Sequence, residues 1–309
     1  MDIVFRHHAL FCDFGAYGAH TSIIKNAILQ SMILFSILFV FCFGLAIGSF
    51  LNAYIYRLHA GKSVFRGRSF CPLCKKTLLA KDLLPLISFA LLKGKCRFCR
   101  KEISWQYPLV EAAVALLFVL GYLRFIGNPF AETTLLADLA GFVSFLCAVA
   151  IFIVIFVYDL KYYLILDKVT VPSFFVFLFF DVLLVILKGG AMHGFARGVL
   201  LPVLLYLAAG VVGGGFFAIQ FLVSGGKWIG GGDIRLGVLM GMALGLKHLL
   251  IALFLAYVLG SVISLCLIAI KKKKFNSQIP FAVFLVPATL ATLLYGDLIA
   301  AWYIGFFAL

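Results

Sequence analysis

Residues Met32 to Tyr56 run for 25 positions without one charged side chain. At 1.5 Å per residue a helix of that length reaches about 37 Å, enough to cross the roughly 30 Å hydrocarbon layer of a bilayer. Seven further apolar stretches follow at about 107–126, 135–158, 169–187, 198–223, 234–247, 248–270 and 280–306. In lipid every backbone amide must be satisfied internally, so stretches of this kind become helices. The expected fold class is therefore all-α, a polytopic membrane protein with about eight transmembrane helices. The composition agrees, with 64% hydrophobic residues, 12% charged and a mean hydropathy of +1.15. Nothing in the chain has the short alternating pattern of a membrane β-barrel. The boundary between the sixth and seventh helices falls at Lys247 and His248, which interrupt an otherwise apolar stretch. A single helix through it would overshoot the bilayer, so two helices joined by a tight turn are expected.

Charge supplies the orientation. Residues 57–106 hold twelve Lys and Arg against two acids. The positive-inside rule places this loop in the cytoplasm and the N-terminus outside. Alternation then places 159–168, 224–235 and 271–279 inside as well, with Lys161, Lys168, Lys227, Arg235 and Lys271 to Lys274. In all, 20 of the 26 basic residues fall on the inner side. The net charge of +14 is thus topological, and no basic patch interleaved with aromatics stands on a soluble domain, so nucleic acid is not an expected partner. The lipid bilayer is.

Four segments result: an outer N-terminal tail at 1–31, polar and loosely ordered through residue 25; a first transmembrane helix at 32–56; a cytoplasmic zinc-binding loop at 57–106; and a transmembrane core at 107–309. The first apolar run is too long for a signal-peptide core. No repeat between halves of the kind built into many transporters is visible.

The loop carries Cys71-Pro-Leu-Cys74 and, 21 residues later, Cys96-Arg-Phe-Cys99. Two such knuckles supply four thiolates to a tetrahedral zinc. A reducing cytoplasm disfavours paired disulfides; unmetallated or redox-active thiols are the alternative. Four Cys ligands leave no open position, so the zinc would be structural and would supply much of the folding energy of a segment with little core. The remaining cysteines lie scattered and serve as small core residues.

Acids number only twelve. Asp159 stands where the third apolar run meets the cytoplasm, and Asp233 follows Gly230, Gly231 and Gly232 before the sixth. The topology puts both at one membrane face. A carboxylate at bilayer depth is costly unless it is paired or functional. Two carboxylates brought together titrate as a unit, and such a pair can activate water and protonate a leaving amine. The glycine run offers a backbone that a substrate strand can approach. The plainer readings are a helix-terminating Asp159 paired with Lys161, and an Asp233 that caps a helix.

The order of these features resembles the prepilin peptidases, the type IV leader peptidases. The resemblance rests on Gly48-Ser-Phe-Leu-Asn-Ala-Tyr-Ile-Tyr-Arg57, both cysteine pairs, Tyr107-Pro-Leu-Val-Glu111, the Asp159 segment, Gly230-Gly-Gly-Asp233 and Ile279-Pro-Phe-Ala282. It spans roughly residues 44–285. It implies an aspartyl endopeptidase of the bacterial inner membrane that cuts type IV prepilins or pseudopilins after a Gly on the cytoplasmic side. Members with the cysteine loop usually also methylate the new N-terminus from S-adenosylmethionine. Asp159 and Asp233 match the catalytic pair. Glu111 is a candidate for the methyl-donor site, with pairing to Arg57 as its alternative, and Asn52 is expected to hydrogen-bond between helices. This chain has Leu166 where Pro is usual and Ala282 where Gly is usual. A transporter or channel with a zinc-stabilised regulatory loop is the competing reading.

Overall fold

The computed structural model describes residues 4–63, 67–127, 134–188, 195–270 and 280–307. The Lys271–Lys274 cluster and Ile279 lie outside them. Among the described residues there are eight α-helices: α1 (Val4–His59), the short α2 (Ile87–Leu91), α3 (Gln106–Phe125), α4 (Leu135–Tyr162), α5 (Asp167–Leu187), α6 (Leu201–Ser224), α7 (Gly231–Ala269) and α8 (Ala282–Phe307). Among the described residues the only β-pairing is two isolated bridges, Phe70 with Thr77 and Lys95 with Glu102.

Among the described residues seven helical stretches are long and apolar enough to cross a membrane. The first, Gln30–His59, continues a helix that begins at Val4. The expected loose tail is thus helical, since no Pro interrupts the segment and helix propagates readily once nucleated.

The sixth stretch, α7, is not one rod. Gly245 has φ 69° and ψ 169°, outside helical space. A Cβ placed on Gly213 of α6 would touch both Gly237 and Leu249. Those two residues would stand about 18 Å apart on a straight helix. Tyr257 likewise returns to α6, where its hydroxyl donates to Gln220 Oε1 at 2.8 Å. The limbs 231–244 and 246–269 are therefore antiparallel, and eight membrane segments result. The tight turn falls at Gly245 and not at Lys247–His248. Glycine tolerates the positive φ, whereas a charged side chain only marks proximity to the membrane surface.

Backbone contact fixes the register of this hairpin. A Cβ on Gly213 would run into the Gly237 carbonyl, and one on Gly241 into the Ala209 carbonyl. Small residues at these positions let α6 and the first limb of α7 approach closely, which substitutes for hydrophobic force inside lipid. At the turn end, Asp297 of α8 gathers Arg124 (3.6 Å), Lys247 (3.6 Å) and His248 (3.1 Å). At the opposite side the ends of α1, α3 and α4 meet the cysteine module. There α4 closes with Tyr163 in the left-handed region, its N–H bonded to Asp159 O at 2.9 Å. Leu166 is extended and α5 begins at Asp167, so the connection forms without the usual Pro. Asp167 is paired with Arg235 of α7.

Gly241→Val is expected to lower the melting temperature in detergent by about 3 °C or more, because overpacking costs about 1–3 kcal/mol. Gly215→Val, at a site with nothing within 4 Å of a new Cβ, should melt like the parent. Equal melting of the two variants would refute the close-contact account.

Candidate active site

Asp159 sits on the last turn of α4 and is 5% exposed; Asp233 sits on the first turn of α7 and is 8% exposed. They lie within electrostatic reach of each other. Asp233 Oδ2 accepts the Gly230 N–H at 3.1 Å, so the side chain reaches back over the start of its own helix. Asp159 is held by the backbone N–H of Ala282, the first residue of α8. Its Oδ2 is buried without a protein hydrogen-bond partner. Lone buried acceptors are rare and call for an explanation, such as a bound water or a catalytic role. Two N–H groups, each at a helix start, thus orient a carboxylate pair in an otherwise apolar place.

The glycine run divides its tasks. A Cβ on Gly232 would approach Ile165 Cβ at 2.8 Å, so this glycine lets α7 pack on the α4–α5 connection. Gly231 has open space around it, and Gly230 lies beside Asp233 Oδ2. Phe217, Tyr257 and Phe281 form an aromatic wall, with Tyr257 and Phe281 ring centres 5.0 Å apart and Tyr257 within reach of the Asp233 charge. The Ala282 amide and the Tyr257–Gln220 pair are not legible in sequence. A main-chain amide has no side-chain signature, and Tyr257 reaches the site only through the reversal at Gly245.

The other acids stand elsewhere. Asp167 and Asp297 are ion-paired as described above, and Asp138 lies in the first turn of α4. Asp181 is buried on α5 near Tyr206.

The cysteine module is two copies of one knuckle. Lys75 N–H bonds to Cys71 O and Arg100 N–H to Cys96 O, each at 2.9 Å, and Lys75 and Arg100 both have φ near 60°. Gly94, at φ 70°, makes the turn into the second knuckle. The four sulfurs lie within 4.8 Å of one another and form no disulfide. The edge of a tetrahedron with 2.3 Å zinc–sulfur bonds is about 3.8 Å, so the cluster fits zinc with little adjustment. Burial raises the Cys71 pKa, but the Cys74 and Leu73 N–H groups and the neighbouring thiols outweigh it and bring it down to about 7. At Cys99 the Lys101 N–H favours the thiolate, yet desolvation and the other three thiols push it up to about 11. Without a metal the cluster thus favours a thiolate at Cys71 and resists one at Cys99.

Between this module, α1 and α3 lies a cavity of about 450 Å3. Glu111 is one of its walls, 7% exposed, with Oε2 accepting the Leu86 N–H at 2.9 Å and Ser49 adding a second bond. Arg57 instead donates to Gly67 O at 2.8 Å. Asn52 bridges α1 and α3 as expected, Nδ2 to Tyr107 O at 3.1 Å. Lys161 and Tyr162, just beyond Asp159 on α4, line the same cavity.

Residues 42–125 match the Bacterial Peptidase A24 N-terminal domain, and residues 146–265 match the Type IV leader peptidase family. The chain is 31% identical to the Prepilin leader peptidase/N-methyltransferase of Bacillus subtilis, over 87% of this chain and 97% of that protein. Proteins with the same name from Aeromonas hydrophila and Legionella pneumophila are 31% and 29% identical, covering 86% and 91% of this chain and 92% and 99% of theirs. No solved structure matches.

Elemental analysis of the purified chain should find about one zinc per molecule, a four-Cys site holding a single ion. Cys71→Ser or Cys96→Ser should lose it. Protons compete for the thiolates, so metal is retained above pH 7 and released as pH falls toward 5. Full retention of zinc in either variant would rule out the four-sulfur site.

Proposed function

The chain belongs to the type IV leader peptidase family, and on that premise we propose that Asp159 and Asp233 are its catalytic pair, cutting the leader of type IV prepilins or pseudopilins after a Gly. One observation carries the assignment: two carboxylates far apart in sequence converge, buried, at the end of the bundle that bears the cysteine module. Family membership sets aside the transporter reading.

The chemistry follows from a carboxylate pair that holds a single proton. The ionised member takes a proton from water while the water oxygen attacks the scissile carbonyl carbon. The protonated member then gives its proton to the leaving amine as the C–N bond breaks. Ala282 N–H and Gly230 N–H keep the two groups oriented. The open face at Gly231 receives the extended substrate backbone, and the substrate's apolar helix remains in the bilayer. The protein is a multi-pass protein of the bacterial inner membrane, with its N-terminus outside and the cysteine module and both Asp at the cytoplasmic face. The basic loops of the sequence support that orientation. Zinc at Cys71, Cys74, Cys96 and Cys99 has a structural role.

N-methylation of the new terminus completes the function. S-adenosylmethionine, when bound, would supply an electrophilic methyl group to the new terminal amine. The names of the relatives support this second activity.

Detergent-purified protein mixed with a prepilin should give a leader-sized mobility shift. Asp159→Asn and Asp233→Asn should each reduce cleavage by more than about 10³-fold while the protein still inserts. Retained cleavage in both variants would end the assignment.

A further inference from the structure

We propose that the outer face of α2 in the cysteine module is a membrane-docking surface, which lies in the headgroup layer of the bilayer and engages anionic lipid.

The sequence sets up two faces. Ile87 and Leu91 stand four residues apart on α2 and share one face, opposite Phe89. Phe89 turns inward, its ring centre 5.1 Å from that of Trp105, and Ser88 and Leu92 line the cavity behind it. Ile87 and Leu91 turn outward and are 55% and 77% exposed. Leu83 and Leu84, just ahead of α2, are 41% and 48% exposed. Large apolar side chains gathered in one uncovered stretch mark an interaction surface.

Depth names the occupant. With 20 residues α3 is about 30 Å long, the thickness of the hydrocarbon layer, so its first turns stand at the edge of that layer. The Leu86 N–H donates to Glu111 Oε2 at 2.9 Å. Glu111 follows the first residue of α3 by five positions, about 7.5 Å along the axis. The helix α2 therefore starts alongside the second turn of α3 and not beyond its end. A segment at that level meets lipid before it meets a soluble protein. Trp105, exposed at the start of α3, suits the same layer, because an indole joins an apolar body to an N–H donor.

Charge specifies the lipid. Lys81, Lys93 and Lys95 are exposed on either side of the apolar stretch. None of the three forms an ion pair among the described residues. The acid of the stretch, Asp82, is engaged by Arg97 at 2.7 Å. An apolar face rimmed by lysines is the pattern of helices that lie in an interface: the stems cover apolar surface and the ammonium groups reach phosphates. Docking gives the module a hold on the membrane besides its chain connections to α1 and α3.

A tryptophan reporter on this face tests the proposal in the full chain. The three native tryptophans, Trp105, Trp228 and Trp302, are changed to Phe and Leu91→Trp is added. The protein is reconstituted in vesicles of phosphatidylcholine and phosphatidylglycerol. Lipid chains brominated near the headgroup should quench the reporter by about half or more, and acrylamide should reach it about threefold less than in the denatured chain. Lys81→Glu with Lys93→Glu should cut the quenching to the lower level seen in pure phosphatidylcholine. Zinc content and melting temperature report on folding, and Ile87→Trp replaces the reporter if Leu91→Trp disturbs either. A reporter open to acrylamide and untouched by bromine would overturn the docking. So would shielding that appears only when a prepilin is added, which would make the face a protein site. Equal quenching with and without phosphatidylglycerol, unmoved by charge reversal, would overturn the role of anionic lipid.

Discussion

A φ of 69° is inexpensive for glycine, and at Gly245 it turns the 39 residues of α7 into two antiparallel limbs. That reversal decides where everything after it lies. It returns Tyr257 to the level of Asp233, and it starts α8 at the face where Asp159 ends α4. The Ala282 amide then meets the Asp159 carboxylate. Without the turn, Tyr257 would stand about 36 Å from Asp233 along a straight helix, and α8 would begin on the far side of the bundle.

The hairpin holds because glycine and alanine on α6 and α7 let main chains touch. Lipid tails offer no hydrophobic drive for helices to associate, so contact distance and polar pairing must supply it. The ion cluster around Asp297 closes the turn end, and the Asp167–Arg235 pair closes the other. Asp233 is thereby carried on a short limb packed on two sides, and its carboxylate is tied to Gly230 N–H. An acid in such a setting keeps its orientation, which acid–base chemistry on a peptide requires.

The cysteine module is tied to the membrane helices through polar contacts at one level. Glu111 accepts the Leu86 amide, and beside it Gln106 Nε2 of α3 reaches Asn52 Oδ1 of α1 at 3.2 Å, joining the two helices on which the module sits. Two of the four cysteines, Cys71 and Cys96, line the cavity that Glu111 also lines. The cysteine cluster, the cavity and the end of α4 therefore adjoin one another at the helix ends.

From the order of residues alone, the helical class, the eight membrane segments, the four-sulfur cluster and the candidate carboxylates were legible. Each depends on local composition, periodicity or spacing, which a linear chain displays. The convergence of Asp159 with Asp233, the break at Gly245, the Ala282 amide and the Leu86 contact to Glu111 were decided by packing. They involve main-chain groups or residues distant along the chain, and such groups leave no pattern in the order of side chains. The helix from Val4 was hidden for a related reason: polar composition argues against burial, not against helix, and only the folded chain shows which of the two it has adopted.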